Sequence, residues 1–341
     1  MKKNTSILVV AGLGLGALVL FIGQSWSWLG LQSVLPVQVL LLSLIWSALG
    51  GLTYAAAPEA GGLFIGFGHL TLFTGAIAVA MPVVEPLALV DAIRLSNAAL
   101  GFLAAAAILA RDMARGGVVL SMAACAAVGA ALGSAASSLG TLGAIGPRTL
   151  HLMFGLYLAA LTAAMGRRHT KAGQAQMERD RKAGAALEEV GGGVQTLSRS
   201  LRKVIFVYGG VEFAFRPLSM LGLGLAVGLA TPLLGVGGFI FLPLFARITQ
   251  LPTRLARPAA AKAVAVACAV QAAVFLTAPN ASVATPLLGA EAVGLLGACL
   301  AGLFYRKIAN SLTPHRIFLA PAAYFCLRSL LLALFGIRLW P

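Results

Sequence analysis

Acidic residues are scarce in this chain. Of its 341 residues only 10 are Asp or Glu, and charged residues of both signs make up 10%. A soluble domain carries about a quarter. The shortage excludes an ordinary soluble fold, and no two acids stand at metal-ligand spacing. The four cysteines, Cys125, Cys268, Cys299 and Cys326, each lie alone in an apolar segment. That pattern argues against a disulfide framework and against a zinc site. H-E-x-x-H, G-x-S-x-G and P-loop motifs are missing too, so neither hydrolytic chemistry nor an ATP motor is expected. The run Gly12-Leu-Gly-Leu-Gly16 follows no strand and is not a dinucleotide fingerprint. The chain is therefore expected to be no enzyme, to need no cofactor and to hold no metal.

What is abundant is apolar sequence, at 60% of residues. Several runs reach the roughly 20 residues that span a bilayer. The expected class is an all-α polytopic membrane protein with about 9–10 membrane segments. The net charge of +15 sits largely between the apolar runs and reads as positive-inside topology. No basic stripe with interleaved aromatics points to nucleic acid. Lys2 and Lys3 precede the apolar run Ile7–Gly23, no A-x-A cleavage site follows, and Trp26 and Trp28 suit an interfacial belt. The expectation is a retained first span, a cytoplasmic N-terminus and a multi-pass protein of the cytoplasmic membrane.

Candidate spans lie at about 5–23, 34–57, 60–82, 90–110, 117–138, 148–166, 219–246 (interrupted), 257–278, 284–305 and 315–337. The only long hydrophilic stretch runs from Arg167 to about Lys203. It reads as a cytoplasmic linker, helical in part around Gln174–Val190. Four parts follow: N-terminal extra spans (1–58), a first membrane repeat (59–166), the linker (167–217) and a second repeat (218–341). Each half carries a small-residue helix, then a proline with arginine, then a closing helix. The first has Gly129-Ala-Ala-Leu-Gly133 and Pro147-Arg148, the second Gly297-Ala-Cys-Leu-Ala-Gly302 and Pro314-His-Arg316. The basic loop precedes this helix in the first half (Arg111–Arg115) and follows it in the second (Arg306-Lys307). Equivalent helices then run oppositely, which is an inverted repeat.

The run Thr231-Pro-Leu-Leu-Gly-Val-Gly-Gly-Phe-Ile-Phe-Leu-Pro243 breaks its span in the middle. Pro232 lacks an N–H, and Gly235, Gly237 and Gly238 permit non-helical backbone. In hydrocarbon such backbone survives only buried in protein or lining a cavity. Broken helices of this kind bind substrate in transporters, and here a re-entrant hairpin is expected.

The Gly-rich break, Pro243-Leu, Leu251-Pro252 and the small-residue helix from Arg257 together resemble the TauE/SafE family of anion permeases. Ala80-Met-Pro82 and Arg94-Leu-Ser96-Asn97 resemble the same repeat in the first half, without its glycine triplet. The resemblance covers roughly 60–166 and 218–337. It implies a secondary transporter, an exporter of small sulfur-containing anions such as sulfite, sulfoacetate or other organosulfonates, working by alternating access. A passive anion channel and a non-transporting membrane scaffold are the rival readings. The partners expected are a small anion and the lipid bilayer, and a homo-oligomer is compatible with the sequence.

Ionisable residues inside spans cost about 2.5–3.5 kcal/mol at the centre on insertion scales and mark function. Arg94 and Lys262 each open the helix after a proline segment and are the expected anion ligands, Arg94 alternatively pairing with Asp91 at i,i+3. Ser96, Asn97 and Thr231 are candidate hydrogen-bonding partners, as is Gln271. Gly235, Gly237 and Gly238 supply backbone N–H groups, and Arg257 stands at the cytoplasmic edge. Asp91 and Glu85 are the candidates for proton coupling, with His69 as a relay. Glu291 and Arg328 are expected to pair with one another.

Overall fold

A computed structural model describes residues 37–77, 85–114, 119–190, 193–234, 238–277, 281–304 and 313–336. The expected span at 5–23, the proline segment Ala80–Pro82, the loop Arg306-Lys307 and the glycines Gly235 and Gly237 lie outside these residues.

The apolar runs fold as helices, since in hydrocarbon only internal hydrogen bonds satisfy the backbone. The first half holds α1 (Val37–Ala56), a 3-10 turn (Pro58–Ala60), and α2 (Gly62–Thr71) continuing as a π-helical turn (Leu72–Ile77). It then runs through α3 (Pro86–Ala114), α4 (Leu120–Thr141) and α5 (Pro147–Arg168). The second half holds α7 (Pro217–Leu234), a 3-10 turn (Gly238–Phe241), α8 (Leu242–Thr249), α9 (Thr253–Leu276), α10 (Ala281–Phe304) and α11 (Thr313–Phe335). Between the halves lies α6 (Lys171–Val190). Among the described residues, 7 helices are long and apolar enough to cross a membrane: α1, α3, α4, α5, α7, α9 and α11. The chain is thus a multi-pass, helical, membrane-type protein.

The two halves interlock rather than sit side by side. Helix α4 packs on α7 and α10 on α1; α9 packs on α4 and α10 on α3; α5 meets α11 and α3 meets α9. The α4–α7 seam brings backbone against backbone. A Cβ at Gly129 would strike the Leu221 carbonyl, and one at Gly133 the Leu225 carbonyl. From the other side, Gly224 and Gly228 abut the carbonyls of Ala126 and Ala130. The α1–α10 seam repeats the device, with Gly51 against the Leu295 carbonyl and Gly294 against the Leu44 carbonyl. Small residues take this role because lipid leaves close packing as the main drive for helix association. Gly228→Ala is accordingly expected to cost about 1–3 kcal/mol, the usual range for overpacking. A lowered melting midpoint of the detergent-purified protein would register it.

The insert corrects the expectation that the chain is wholly α. After α6 it forms a three-stranded antiparallel meander, β1 (Gln195–Arg199), β2 (Val204–Tyr208) and β3 (Val211–Phe215). The β2–β3 hairpin turns at Gly209 (φ 59°) and Gly210 (φ 72°), the left-handed pair that a two-residue type I′ turn requires. Phe206 and Phe215 are buried and belong to the same hydrophobic core as the helices. The insert also docks. The Asp180 carboxylate accepts from the Thr253 backbone N–H at 2.9 Å, and Arg254 donates to the Gly184 carbonyl at 3.3 Å. An anionic side chain therefore meets the positive N-terminal end of α9.

Candidate functional site at the end of α7

Helix α7 carries Pro232 in its last turn and stops at Leu234. The last carbonyls of any helix lack intrahelical donors and need partners when buried. Here side chains from two other helices supply them. The Pro232 carbonyl accepts from Arg94 Nε at 2.8 Å and from Gln271 Nε2 at 3.3 Å. The Leu234 carbonyl accepts from Asn97 Nδ2 at 2.8 Å.

Arg94 is the centre of this arrangement and is 0% exposed. Besides Pro232 it donates through Nη1 to Asp91 and to the Thr141 carbonyl, both at 3.0 Å, and through Nη2 to Thr141 Oγ1 at 2.5 Å. Its plane lies 4.5 Å from the Phe275 ring centroid. The second oxygen of Asp91 accepts from the Gly143 backbone N–H at 2.8 Å. Two helix C-termini, those of α4 and α7, thus converge on one guanidinium, where their dipoles favour a cation. The alternative expectation for Arg94, pairing with Asp91, is the one observed. Four of its five N–H groups have partners, which leaves one on Nη2 among the described residues.

A second cluster adjoins the first through Asn97. Glu291 of α10 is 0% exposed and takes three polar contacts. Ser43 Oγ donates to its Oε1 at 2.8 Å and Ser96 Oγ to its Oε2 at 2.6 Å, while His69 Nε2 lies 2.7 Å from Oε1. The other ring nitrogen of His69, Nδ1, lies 2.5 Å from Asn97 Oδ1. Glu291 therefore pairs with His69 and not with Arg328. The Arg328 guanidinium instead lies 4.9 Å from the Phe67 ring centroid.

The remaining candidates divide. Thr231, Asn97 and Gly238 are buried around the α7 end, where a Cβ added at Gly238 would meet Thr231 Oγ1, whereas the buried Ser96 turns to Glu291. Lys262 is exposed and does not join Arg94. It stands nine positions before Gln271 on α9, and at 100° per residue that puts the two on opposite faces. Arg257 is on the face of Gln271 but fourteen positions earlier, about 21 Å along the axis. It grips Asp112 at the far end of α3 instead, Nε to Oδ2 at 2.8 Å and Nη2 to Oδ1 at 2.5 Å. Glu85 is exposed just before α3, away from the buried networks. The sequence reading missed Thr141, Ser43 and Asp112. Of these only Asp112 stood out in advance, as an acid inside an apolar helix.

Two buried polar atoms around the Pro232 carbonyl have no partner among the described residues, Thr231 Oγ1 and Gln271 Oε1. A buried hydroxyl or amide oxygen left unpaired costs about 1–3 kcal/mol, so each is an opening for a ligand. Comparison of the chain with protein-family models, curated proteins and solved structures finds no match.

Proposed function

We propose that this chain is a secondary transporter, an exporter, that moves a small anion across the cytoplasmic membrane by rearrangement about the end of α7. The observation that carries the reading is the pair of unpartnered buried atoms, Thr231 Oγ1 and Gln271 Oε1, set around the Pro232 carbonyl that Arg94 holds. The Thr231 hydroxyl and the spare Arg94 N–H donate, whereas Gln271 Oε1 only accepts, its amide nitrogen being engaged with the carbonyls of Arg94 and Pro232. An oxyanion that retains one proton satisfies all three. Hydrogensulfite fits that description, within the sulfur-anion class that the family resemblance implies.

The packing pattern supports alternating access. Exchanging α1, α3, α4 and α5 with α7, α9, α10 and α11 maps α4-on-α7 onto α10-on-α1 and α4-on-α9 onto α10-on-α3. We read this as the inverted repeat, with its first unit beginning at α1 rather than near residue 59. The N-terminus is placed in the cytoplasm on the positive-inside argument.

The test is uptake by proteoliposomes offered sulfite, sulfoacetate, taurine and sulfate. Thr231→Val keeps the shape and removes only the unpartnered hydroxyl, so the protein should melt no lower. Its KM should rise about tenfold or more, the worth of a hydrogen bond to a charged group. The reading fails if no anion moves, or if Thr231→Val transports with an unchanged KM. Flux that does not saturate would indicate a passive channel.

A further inference from the structure

The hydrogen bonds at Asn97 fix where protons lie. Its Nδ2 donates to the Leu234 carbonyl, so its Oδ1 is the atom turned to His69. An oxygen there requires His69 Nδ1 to carry hydrogen. Across the ring, Nε2 faces Glu291 Oε1 at 2.7 Å, and both Glu291 oxygens already accept from serine hydroxyls. One further proton must lie between Nε2 and Oε1, since a bare nitrogen against a carboxylate oxygen would place two lone pairs together. The pair is therefore loaded with one proton beyond neutral imidazole plus carboxylate.

We propose that the His69–Glu291 pair is a proton-binding site, and that loss of its proton turns the Asn97 amide over and uncaps the end of α7. The step balances simply. The Nδ1–H bond breaks, the proton leaves to water, and the N–H bonding pair becomes a lone pair on Nδ1. The neutral ring keeps its proton on Nε2, donating to the ionised Glu291. Nδ1 is now an acceptor and demands a donor, which Asn97 provides by presenting Nδ2. The same turn sets Asn97 Oδ1 against the Leu234 carbonyl, oxygen to oxygen, and that carbonyl loses its cap. Proton occupancy at one buried pair thereby decides whether the broken end of α7 is held or released.

Few other groups compete for this role. Helix α1 brings serines and Tyr54 but no charged residue, and α2 itself holds only His69. On α3 the nearest charges along the helix, Asp91 and Arg94, are bound to one another. Glu59, in the turn just before α2 and ion-paired with Arg168 of α5, His151 on α5 and Arg328 on α11, the latter resting on Phe67, are further ionisable groups on the elements around α2. On α10, among its described side chains, Cys299 is the other titratable group.

The inference rests on the transport reading for its purpose but not for its test. Hydrogen–deuterium exchange of peptides covering the α7 end, corrected for intrinsic rate, is measured in detergent between about pH 5 and 8, where histidine titrates. Wild type should exchange severalfold faster at the alkaline end. His69→Gln and Glu291→Gln should lose that dependence. Asn97→Ala, which leaves both ionisable residues in place, should exchange fast at both ends and serves if either other variant fails to fold. A pH-independent wild type overturns the proposal. So does pH dependence that persists in His69→Gln and Glu291→Gln, or in Asn97→Ala. Proteoliposomes loaded with a pH dye then separate the two readings. Sulfoacetate flux should carry protons in wild type, whereas Glu291→Gln should exchange sulfoacetate without them. If wild type carries sulfoacetate without protons the site is not coupled to transport, and if neither wild type nor any variant moves any of the offered anions the transport reading falls while the exchange data still decide the proton site.

Discussion

Replacing Arg94 by alanine is expected to leave little folded protein. The substitution strands the Asp91 carboxylate, 4% exposed, with only the Gly143 N–H as a partner. It also removes the donors from the Thr141 carbonyl and one of the two from the Pro232 carbonyl. Breaking a buried pair from one side costs about 3–5 kcal/mol, against a whole-protein stability of about 5–15 kcal/mol. Arg94→Lys should fall between, because one ammonium cannot reach a carboxylate and two helix ends with a fixed fork. Adding Asp91→Asn to Arg94→Ala should restore part of the loss by removing the stranded charge. Melting midpoints of the four proteins in detergent give the order directly, and a midpoint for Arg94→Ala equal to wild type would refute it. Loss of transport in Arg94→Ala cannot by itself identify a substrate ligand, since the same guanidinium holds three helices. Thr231→Val carries that question, because it removes a hydroxyl that has no partner among the described residues.

The parts legible in the sequence follow from local chemistry. Runs of about 20 apolar residues have one satisfactory conformation in lipid, so α1, α3, α4, α5, α9, α10 and α11 lie where the spans were expected. Pro232 marks the last turn of α7 because it acts on its own backbone. The face a residue takes is a subtler matter. Arg94 and Lys262 occupy similar places along their helices, yet Arg94 is buried and Lys262 exposed. Depth after a proline is readable from the chain, but the helix phase is set by what packs there. The His69–Glu291 pair was less accessible still, its members lying 222 residues apart. Only their shared rarity, one imidazole and one carboxylate in apolar helices, hinted that they belong together. The sheet was hidden for a different reason. Val204–Tyr208 is apolar throughout and shows no alternation, so the charge around it dominated the reading. The Gly209-Gly210 step between it and Val-Glu-Phe-Ala-Phe was the signal available, a hairpin turn in its usual form.

Arg257→Ala should destabilise the protein more than Asp112→Ala, by about 3 kcal/mol against about 1 kcal/mol, although the two residues form one pair. The asymmetry comes from burial. The Asp112 side chain is 4% exposed and Arg257 21%, with Arg111 at 18% lying 3.3 Å from the same carboxylate. Without Asp112, both arginines are long enough to carry their charge to water or headgroups. Without Arg257, the carboxylate stays buried, with only the longer Arg111 contact in compensation. The two residues lie on α3 and α9, which pack against each other. The clamp therefore closes that contact at the end remote from Arg94 and Gln271. Because Arg257 lies about 21 Å from Gln271 along α9, its loss should leave the KM of the surviving protein unchanged. Melting midpoints and uptake kinetics on the same preparations test both halves of the expectation. A normal melting midpoint with a raised KM would return Arg257 to the substrate path.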